Sequence, residues 1–276
     1  MSLFIASLNS GSNGNCYYIG NEEEAVLIDA GMSCLETEKR MKRLALPMSR
    51  VKAIFISHEH SDHIRGLEVL SKKYKLPVYI TPLTQHFGNL QLEQPKPFQA
   101  FEPVAIGNLS VKAFPKNHDA CEPHSFVVSC NGINVGVFTD IGSVCQQLIL
   151  HFKHCNAVFM EANYDDEMLM KGRYPYHLKQ RIRGGKGHLS NAQALEVFNV
   201  HRPPFLSHLL LSHLSKDNNC PELVQKLFNE HANGTEIIVA SRYSETAIYH
   251  INGLFRTNLK QKRVEVAREQ MQLSLF

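Results

Sequence analysis

The chain has 276 residues, of which 43% are hydrophobic and 20% are charged, and its formal net charge is +3. Such a composition is ordinary for a globular protein and excludes a chain that stays disordered. A net charge this small does not by itself predict a nucleic-acid-binding protein, so local clusters of charge carry more weight.

Short apolar segments rich in Val, Ile and Phe recur along the chain and predict β-strands. In chain order they are residues 4–8, 16–20, 25–31, 51–58, 77–81, 110–115, 125–130, 133–140, 157–163, 208–213, 236–241 and 246–251. Helical spacing of apolar residues lies between them, over residues 35–45, 64–74, 143–153, 191–200 and 220–232. This pattern predicts sheets sandwiched by helices in one domain, residues 1–255, followed by a charged tail, residues 256–276.

The seven cysteines are scattered along the chain, and none stands in a CxxC spacing. An odd number of scattered cysteines fits reduced thiols better than a disulfide framework. We therefore expect a cytoplasmic protein rather than a secreted one. The N-terminal stretch MSLFIASLNSGSNGN has neither a basic leader nor a long apolar region, so we expect no signal peptide. No apolar run approaches the ~18 residues of a transmembrane helix, so no membrane partner is expected.

Polar side chains end several of the predicted strands. They are Asp29, His58, Asp140, Glu161 and His213. Loops at the ends of strands are where a rigid scaffold carries its reactive groups. These residues are therefore candidates for the functional site.

The segment HEHSDH, residues 58–63, is the strongest chemical signal in the sequence. Its candidate ligands are His58, His60, Asp62 and His63. They are too dense for one tetrahedral ion but suit two divalent ions that share a turn. The alternative, a capping loop of surface histidines and acids, is disfavoured because further ligand candidates follow in order at the ends of later elements.

A strand followed by HxHxDH resembles the signature of the metallo-β-lactamase superfamily. The resemblance extends over about residues 3–251 and implies the superfamily's α/β fold, a four-layer αβ/βα sandwich. It implies one ion on His58, His60 and His118, and a second ion on Asp62, His63 and His213. It also implies that Asp140 bridges the two ions. Asp29 would support residues 58–63, the metal loop, without binding metal.

Some branches of the superfamily are disfavoured by single residues. The flavodiiron branch has a glutamate where His60 stands, and the commonest true β-lactamases have a cysteine where Asp140 stands. Residues 141–212 leave no room for the large cap domain of the β-CASP nucleases. The histidine-rich ligand set favours zinc, with manganese or iron as alternatives. Two such ions would activate a shared water and neutralise the oxygens of a phosphodiester.

His188 lies in the segment GGKGHLSN, where Ser190 or Asn191 is expected to cap a helix. On its own, a histidine at such a junction is usually solvated or locally hydrogen-bonded. In the branch that processes tRNA 3′ ends, however, a glutamate and a later histidine help to protonate the departing oxygen. Glu161 and His188 stand in that order, so the resemblance implies that they act in catalysis together with Asp62.

Six basic residues and no acid occur between residues 171 and 186, with Tyr174 and Tyr176 among them. Basic residues mixed with aromatics favour contacts with phosphates and stacked bases, although a charge run is more often a solvated face. We expect substrate contacts from Ser12, Asn13, Lys179, Arg181, Arg183 and Lys186.

The combination of SGSNGN, HEHSDHIRGL, NHDACEP and GHLSN resembles the YycJ/WalJ group of metallo-β-lactamase-fold proteins, which is associated with 5′→3′ exonuclease activity on DNA. The resemblance implies a dinuclear, metal-dependent phosphodiesterase of this kind. His124 departs from the glycine expected in the group, and the roles of His124 and Arg242 stay open. The alternatives are a hydrolase of small esters, thioesters or cyclic phosphodiesters, and a clamp-recruited regulatory or binding protein of weak activity.

The tail, residues 256–276, is polar and net basic, and it ends in QLSLF. This pentapeptide resembles the one by which bacterial DNA enzymes dock on the replicative sliding clamp. The partner-binding residues would be Gln272, Leu273, Leu275 and Phe276. The alternative is an amphipathic helix whose apolar end packs on the sandwich.

Overall fold

Two seven-stranded β-sheets pack face to face in the computed structural model, which describes residues 2–253. From edge to edge, the first sheet contains β14 (Tyr249–Ile251), β1 (Leu3–Asn9), β2 (Cys16–Gly20), β3 (Ala25–Ile28), β4 (Val51–Phe55), β5 (Val78–Tyr79) and β6 (Pro95–Lys96). The second contains β13 (Glu236–Val239), β12 (His208–Ser212), β11 (Ala157–Glu161), β10 (Ile133–Phe138), β9 (His124–Cys130), β8 (Leu109–Pro115) and β7 (Pro103–Ile106).

Helices cover the outer face of each sheet. In the described residues they are α1 (Cys34–Arg43), α2 (Ser61–Ile64), α3 (Leu67–Tyr74), α4 (Pro82–Phe87), α5 (Gln146–Phe152), α6 (Asp166–Lys171), α7 (Tyr176–Arg183), α8 (Asn191–His201) and α9 (Pro221–Asn229), with a 3-10 turn at Met48–Arg50. Ser190 caps α8 through a reciprocal capping box with Gln193, so of the two predicted capping residues it is Ser190 that acts. Every described helix is too short or too polar to cross a bilayer.

Alternate residues of the strands enter different apolar layers. In β1, Leu3 and Ile5 belong to the core between the sheets, whereas Phe4 packs with the helices outside the first sheet. In β11, Phe159 faces the central core and Val158 faces the outer helices. Burial on both faces explains why these strands are apolar throughout rather than alternating. The predicted four-layer αβ/βα sandwich is confirmed.

The parallel strands bring the candidate residues to a common edge. Strands β3 and β4 are parallel, and so are β10, β11 and β12. The candidate side chains stand at or just after the carboxyl ends of these strands. They are Asp29, His58, Asp140, Glu161 and His213. Carboxyl ends of parallel strands are where α/β folds bind their ligands.

Some predicted elements differ from the observed ones. The predicted helix at 64–74 splits into α2 and α3, and the predicted strand at 77–81 shortens to β5. The sequence did not predict α6 and α7; no residue of α7 is buried, so the apolar periodicity that marks a helix is missing there. The charged tail and its QLSLF end lie outside the described residues.

Candidate metal centre

Three histidine ring nitrogens face one another at the end of β4. The Nδ1 atom of His60 lies 3.1 Å from Nε2 of His58 and 3.4 Å from Nε2 of His118. His58 and His118 are buried, and His60 is half-buried. Three converging imidazole nitrogens are the arrangement that a divalent ion requires of its ligands.

The opposite nitrogen of each ring is held by a neighbouring group. His118 donates from Nδ1 to the carbonyl of Gly187 at 3.0 Å, and His60 from Nε2 to the carbonyl of Asp119 at 3.2 Å. Partners of this kind fix the tautomer of a metal-binding histidine, so the inward-facing nitrogens carry lone pairs.

His58 is oriented through Ser57. The hydroxyl of Ser57 donates to Oδ2 of Asp29 at 2.9 Å and accepts from Nδ1 of His58 at 2.8 Å. Asp29 also accepts from the backbone N–H of Ser57 and, at 2.7 Å, from Nδ1 of His63. Asp29 therefore lies behind the cluster and supports two of its histidines, which is the position expected for it.

A second group of ligand atoms lies beside the first. Oδ2 of Asp62 is 3.6 Å from Nε2 of His63 and 3.5 Å from Nε2 of His213. Asp140 lies between the two groups, with Oδ2 at 3.2 Å from Nε2 of His63 and Oδ1 at 3.9 Å from Nε2 of His118. All seven side chains that were expected to bind metal are thus brought together.

The cluster contains two buried polar atoms that call for a partner. Within the described residues, Oδ2 of Asp140 and Nε2 of His213 make no hydrogen bond of good geometry, and their nearest ion-pair contacts are Nε2 of His63 at 3.2 Å and Oδ2 of Asp62 at 3.5 Å. A buried acceptor without a partner costs about 1–3 kcal/mol, and more when it is charged. A cation between these atoms removes that cost, and imidazole nitrogens with carboxylate oxygens suit zinc, manganese or iron. The residues therefore fit divalent metal ions.

The electrostatics of the cluster point the same way. Burial lowers the pKa of His63, but the charges of Asp140, Asp29 and Asp62 outweigh it and raise this pKa to about 10. Burial raises the pKa of Asp140, but the charges of His213 and His63 hold it well below its usual range. The carboxylates thus stay ionised, and their negative charge favours a positive charge between them. A divalent cation supplies that charge.

Three residues in or behind the cluster adopt the left-handed backbone conformation within two residues of a strand end. The φ angles are 63° at Asp29, 56° at Asp140 and 58° at His213. This conformation is uncommon outside glycine and costs of order 1–3 kcal/mol in strained cases. It turns each side chain out of the pleat and toward the cluster.

Asn15 is a member of the site that sequence analysis missed. Its backbone N–H donates to the carbonyl of Asp62 at 2.7 Å, and its side-chain amide donates to Oδ2 of Asp62 at 3.1 Å. Tyr17 donates to the other end of that amide at 3.2 Å. Gly31 permits this approach because a Cβ there would lie 1.7 Å from the carbonyl oxygen of Asp62. In the sequence Asn15 appears only as the last residue of the segment SGSNGN, with no role assigned to it.

Glu161 and His188 form a hydrogen-bonded pair beside the cluster. Oε1 of Glu161 accepts from Nδ1 of His188 at 2.8 Å, and Oε2 accepts from the backbone N–H groups of Ile141 and Leu189. Burial raises the pKa of Glu161, but the charge and hydrogen bond of His188 and the hydrogen bond of His213 outweigh it and lower this pKa. An ionised Glu161 keeps the proton of His188 on Nδ1 and leaves Nε2 free for the cleft.

The predicted substrate residues divide into two groups. Ser12 and Arg181 line the cleft over the cluster, where Arg181 pairs with Asp119 at 2.6 Å. The other predicted contacts are turned elsewhere or extend into solvent. Lys179 and Arg183 contact the carbonyl and the sulfur of Met170, Asn13 donates to the carbonyl of Arg242, and Lys186 is exposed. A role in substrate binding stays a prediction for all six residues.

His124 has a structural environment. It is buried at the start of β9, its Nδ1 donates to the carbonyl of Glu122 at 2.9 Å, and its ring packs edge-on against Phe98. Its backbone N–H donates to the carbonyl of Ser57 at 2.9 Å. His124 therefore contributes to the position of the metal loop from outside the cleft.

Comparison with known proteins agrees with this geometry. The Beta-lactamase superfamily domain matches residues 24–213. Exodeoxyribonuclease YycJ of Bacillus anthracis is 38% identical over 82% of this chain and 87% of its own length. Exodeoxyribonuclease WalJ of Streptococcus pneumoniae is 31% identical over 78% and 83%. The metallo-β-lactamase fold protein YhfI of Bacillus subtilis superposes with a TM-score of 0.70 at 16% identity, covering 91% of this chain and 100% of YhfI.

Proposed function

The chain belongs to the β-lactamase superfamily, and from that membership we propose that it is a metal-dependent exodeoxyribonuclease that digests DNA from 5′ ends. The observation that supports this most directly is the Glu161–His188 pair at 2.8 Å beside a cluster that fits two divalent ions. The names of the two curated relatives, both exodeoxyribonucleases, agree with the proposal.

Two of the four groups of converging atoms provide the proposed ligand sets, and a third contains Glu161 and His188 together with Asp140 and His213. One ion would be held by His58, His60 and His118, the other by Asp62, His63 and His213, with Asp140 shared. We infer zinc as the first choice because imidazole nitrogens predominate, with manganese and iron as alternatives. Bound in this cluster, two divalent ions would activate water and offset the charge of the scissile phosphate.

The protein's own side chains supply the remaining steps. To protonate the oxygen that leaves phosphorus, His188 would carry a second proton at Nε2, and Glu161 would stabilise the charged ring. Asp62 would bind metal and orient the attacking water. Arg181 and Ser12, at the mouth of the cleft, would contact phosphate oxygens.

Two alternatives would use the same cluster. A hydrolase of small esters, thioesters or cyclic phosphodiesters would act without a long nucleic acid. A thioester has little need of His188, because a thiolate leaves readily without a proton. A clamp-recruited regulatory protein of weak activity would retain the ions but turn over slowly.

One experiment separates these functions. The zinc-loaded and manganese-loaded proteins are incubated with 5′-labelled and 3′-labelled DNA, with the same RNA sequence, with a bis-aryl phosphate and with an acyl thioester. We expect chelator-sensitive release of the 5′ label from DNA as short products. Turnover of the thioester alone would eliminate the proposed function, and metal binding without any turnover would favour the regulatory protein.

We make two further proposals that depend on a DNA substrate. The protein is located in the cytoplasm, and the replicative clamp recruits it. The clamp would bind Gln272, Leu273, Leu275 and Phe276. Deleting residues 272–276 should abolish pull-down of the clamp and spare the digestion of short oligonucleotides. Unaltered pull-down would rule out recruitment through this peptide.

A further inference from the structure

A buried array of hydrogen bonds lies beside the second proposed ion and consists of Ser10, Tyr17 and Asn15. The hydroxyl of Ser10 accepts from the backbone N–H of His213 at 2.7 Å and lies 2.8 Å from the hydroxyl of Tyr17. Tyr17 donates to Oδ1 of Asn15 at 3.2 Å, and the amide of Asn15 donates to Oδ2 of Asp62 at 3.1 Å. The array therefore connects His213 with Asp62, two of the three ligands proposed for the same ion.

The position of each hydrogen in the array is determined by its neighbours. The backbone N–H of His213 can only donate, so the hydroxyl of Ser10 accepts there and turns its own hydrogen toward Tyr17. Burial raises the pKa of Tyr17 well above its usual range, so this hydroxyl stays a donor. The backbone N–H of Gly11 also donates to Oδ1 of Asn15, at 2.9 Å. With two donors on Oδ1, the amide has one orientation, in which its NH2 group faces the metal cluster.

The array joins ligands that belong to different sheets. Asp62 follows β4 of the first sheet, and His213 follows β12 of the second. Tyr17 lies in the core between the sheets, with its ring 4.9 Å from that of Phe159 in the second sheet. Hydrogen-bond partners of this kind orient the ligands of a metal ion. The array therefore holds a ligand of one sheet in place relative to a ligand of the other.

The two proposed ions are supported by different groups. The array also reaches His63, because the amide nitrogen of Asn15 lies 3.1 Å from its Nε2. The histidines of the first ion are held by Ser57 and by the carbonyls of Asp119 and Gly187. Loss of the array should therefore affect the second ion and spare the first.

Two neighbours of the same residue types lie outside the array. The hydroxyl of Ser7 is buried and makes no hydrogen bond to any residue from 2 to 253. Tyr18 points to the opposite face of β2, into the apolar layer between the first sheet and its helices. Ser7 and Tyr18 are therefore matched controls for Ser10 and Tyr17.

We propose that Ser10 and Tyr17 are positioning residues of the second ion, which hold its ligands from the two sheets in register. The inference rests on the proposed function, because its premise is an ion bound by Asp62, His63 and His213. Without the hydroxyl of Ser10, the buried backbone N–H of His213 loses its acceptor, and this ligand can shift relative to Asp62.

The test follows metal binding by the full-length protein after its metal has been removed. Zinc is titrated by calorimetry, and cobalt is titrated in parallel because its visible absorption reports the ligand geometry of each ion as it binds. We expect Ser10→Ala to bind the second ion about tenfold more weakly, as for other lost partners of metal ligands, and to alter the cobalt absorption of that ion alone. Tyr17→Phe, which removes one oxygen and keeps the packing on Phe159, should weaken the same ion about 2–10-fold.

A double variant tests whether the two residues act through one array. In Ser10→Ala the hydroxyl of Tyr17 has already lost a partner, so adding Tyr17→Phe should cost less affinity than it costs alone. Ser7→Ala and Tyr18→Phe should titrate like the wild type. Tyr17→Phe keeps the test decisive if Ser10→Ala misfolds.

Failure of the inference is distinguishable from failure of the proposed function. Unchanged binding of both ions in Ser10→Ala and Tyr17→Phe, equal weakening of both ions, or single losses that simply multiply in the double variant overturn the positioning role and leave the exonuclease standing if the wild type digests DNA. A wild type that binds only one ion overturns the inference as well. Selective weakening of the second ion in a protein that digests no DNA supports the positioning role and overturns the exonuclease.

Discussion

Oε1 of Glu161 lies 2.9 Å from Nδ1 of His213, which follows the neighbouring strand β12. The same oxygen accepts from Nδ1 of His188 at 2.8 Å. One buried carboxylate oxygen therefore orients both a proposed metal ligand and the proposed proton donor. Variants of Glu161 and of His188 should consequently fail in different ways.

Glu161→Gln should impair metal binding as well as turnover. A glutamine places an amide N–H group either against the two histidines or against the backbone donors of Ile141 and Leu189, and in both cases a donor faces a donor. We expect the affinity for metal to fall about 10–100-fold, as for other lost partners of metal-binding histidines. Competition with a chromophoric chelator measures it. Full affinity in this variant would contradict the orienting role.

His188→Ala should keep its metal, and its turnover should fall more for a substrate with a poor leaving group than for one with an activated leaving group. Without a proton donor, turnover of DNA should fall about 10²–10⁴-fold, while a bis-aryl phosphate with an activated leaving group should lose little. The measurements are kcat for both substrates and metal content by mass spectrometry. An equal loss on both substrates would show that His188 is no proton donor.

Chelation should destabilise the fold. Metal that binds only the native state adds RT ln(1 + [L]/Kd) to its stability. With metal at about 100 Kd the gain is ~2.7 kcal/mol, or several degrees in Tm for a chain of this length. Differential scanning calorimetry with EDTA, and again after zinc or manganese is restored, measures this shift. An unchanged Tm would indicate that the cluster holds no ion.

Asn15→Ala should lower the affinity for the ion that we expect on the Asp62 side of the cluster. The variant removes the 3.1 Å hydrogen bond that positions Oδ2 of Asp62. We expect about tenfold lower affinity for one of two ions, seen as a split in the metal titration. Asn199→Ala, an exposed asparagine on α8, serves as the control and should titrate like the wild type. Equal weakening of both ions would argue against a local effect.

The core between the sheets should dominate stability. Phe159 is fully buried there, with its ring 4.9 Å from that of Tyr17. Phe159→Ala should lower the free energy of unfolding by about 3–5 kcal/mol because it leaves a cavity. Phe87→Ala, at a site 63% exposed, should alter it by less than about 0.5 kcal/mol. Urea denaturation of both variants with saturating metal provides the comparison.

The sequence predicted the sandwich and the clustering of its polar strand ends because both depend on short-range patterns. Buried strands such as β3 are continuous apolar runs, and HEHSDH concentrates its ligands in one turn. The resemblance to a known superfamily then assigned His118, Asp140 and His213 to the same site, and the fold brings them together there.

The parts that were missed depend on contacts distant in sequence. Asn15 reaches Asp62 only because the turn before β2 packs against the loop after β4, a strand two places away in the first sheet. The basic run of residues 171–186 indicated charge but not direction: Arg181 faces the cleft, whereas Lys179 and Arg183 contact Met170. Side-chain direction on an exposed helix such as α7 is set by neighbouring elements that composition does not reveal.

The left-handed backbone at Asp29, Asp140 and His213 has a consequence for how ions enter and leave. The packing of the two sheets holds this conformation at the strand ends. We therefore expect metal uptake to need little rearrangement of the main chain at these residues, and exchange between zinc and manganese to proceed at the rate of ligand substitution. Which ion occupies the cluster should then follow the ligand set together with the supply of metal in the cell.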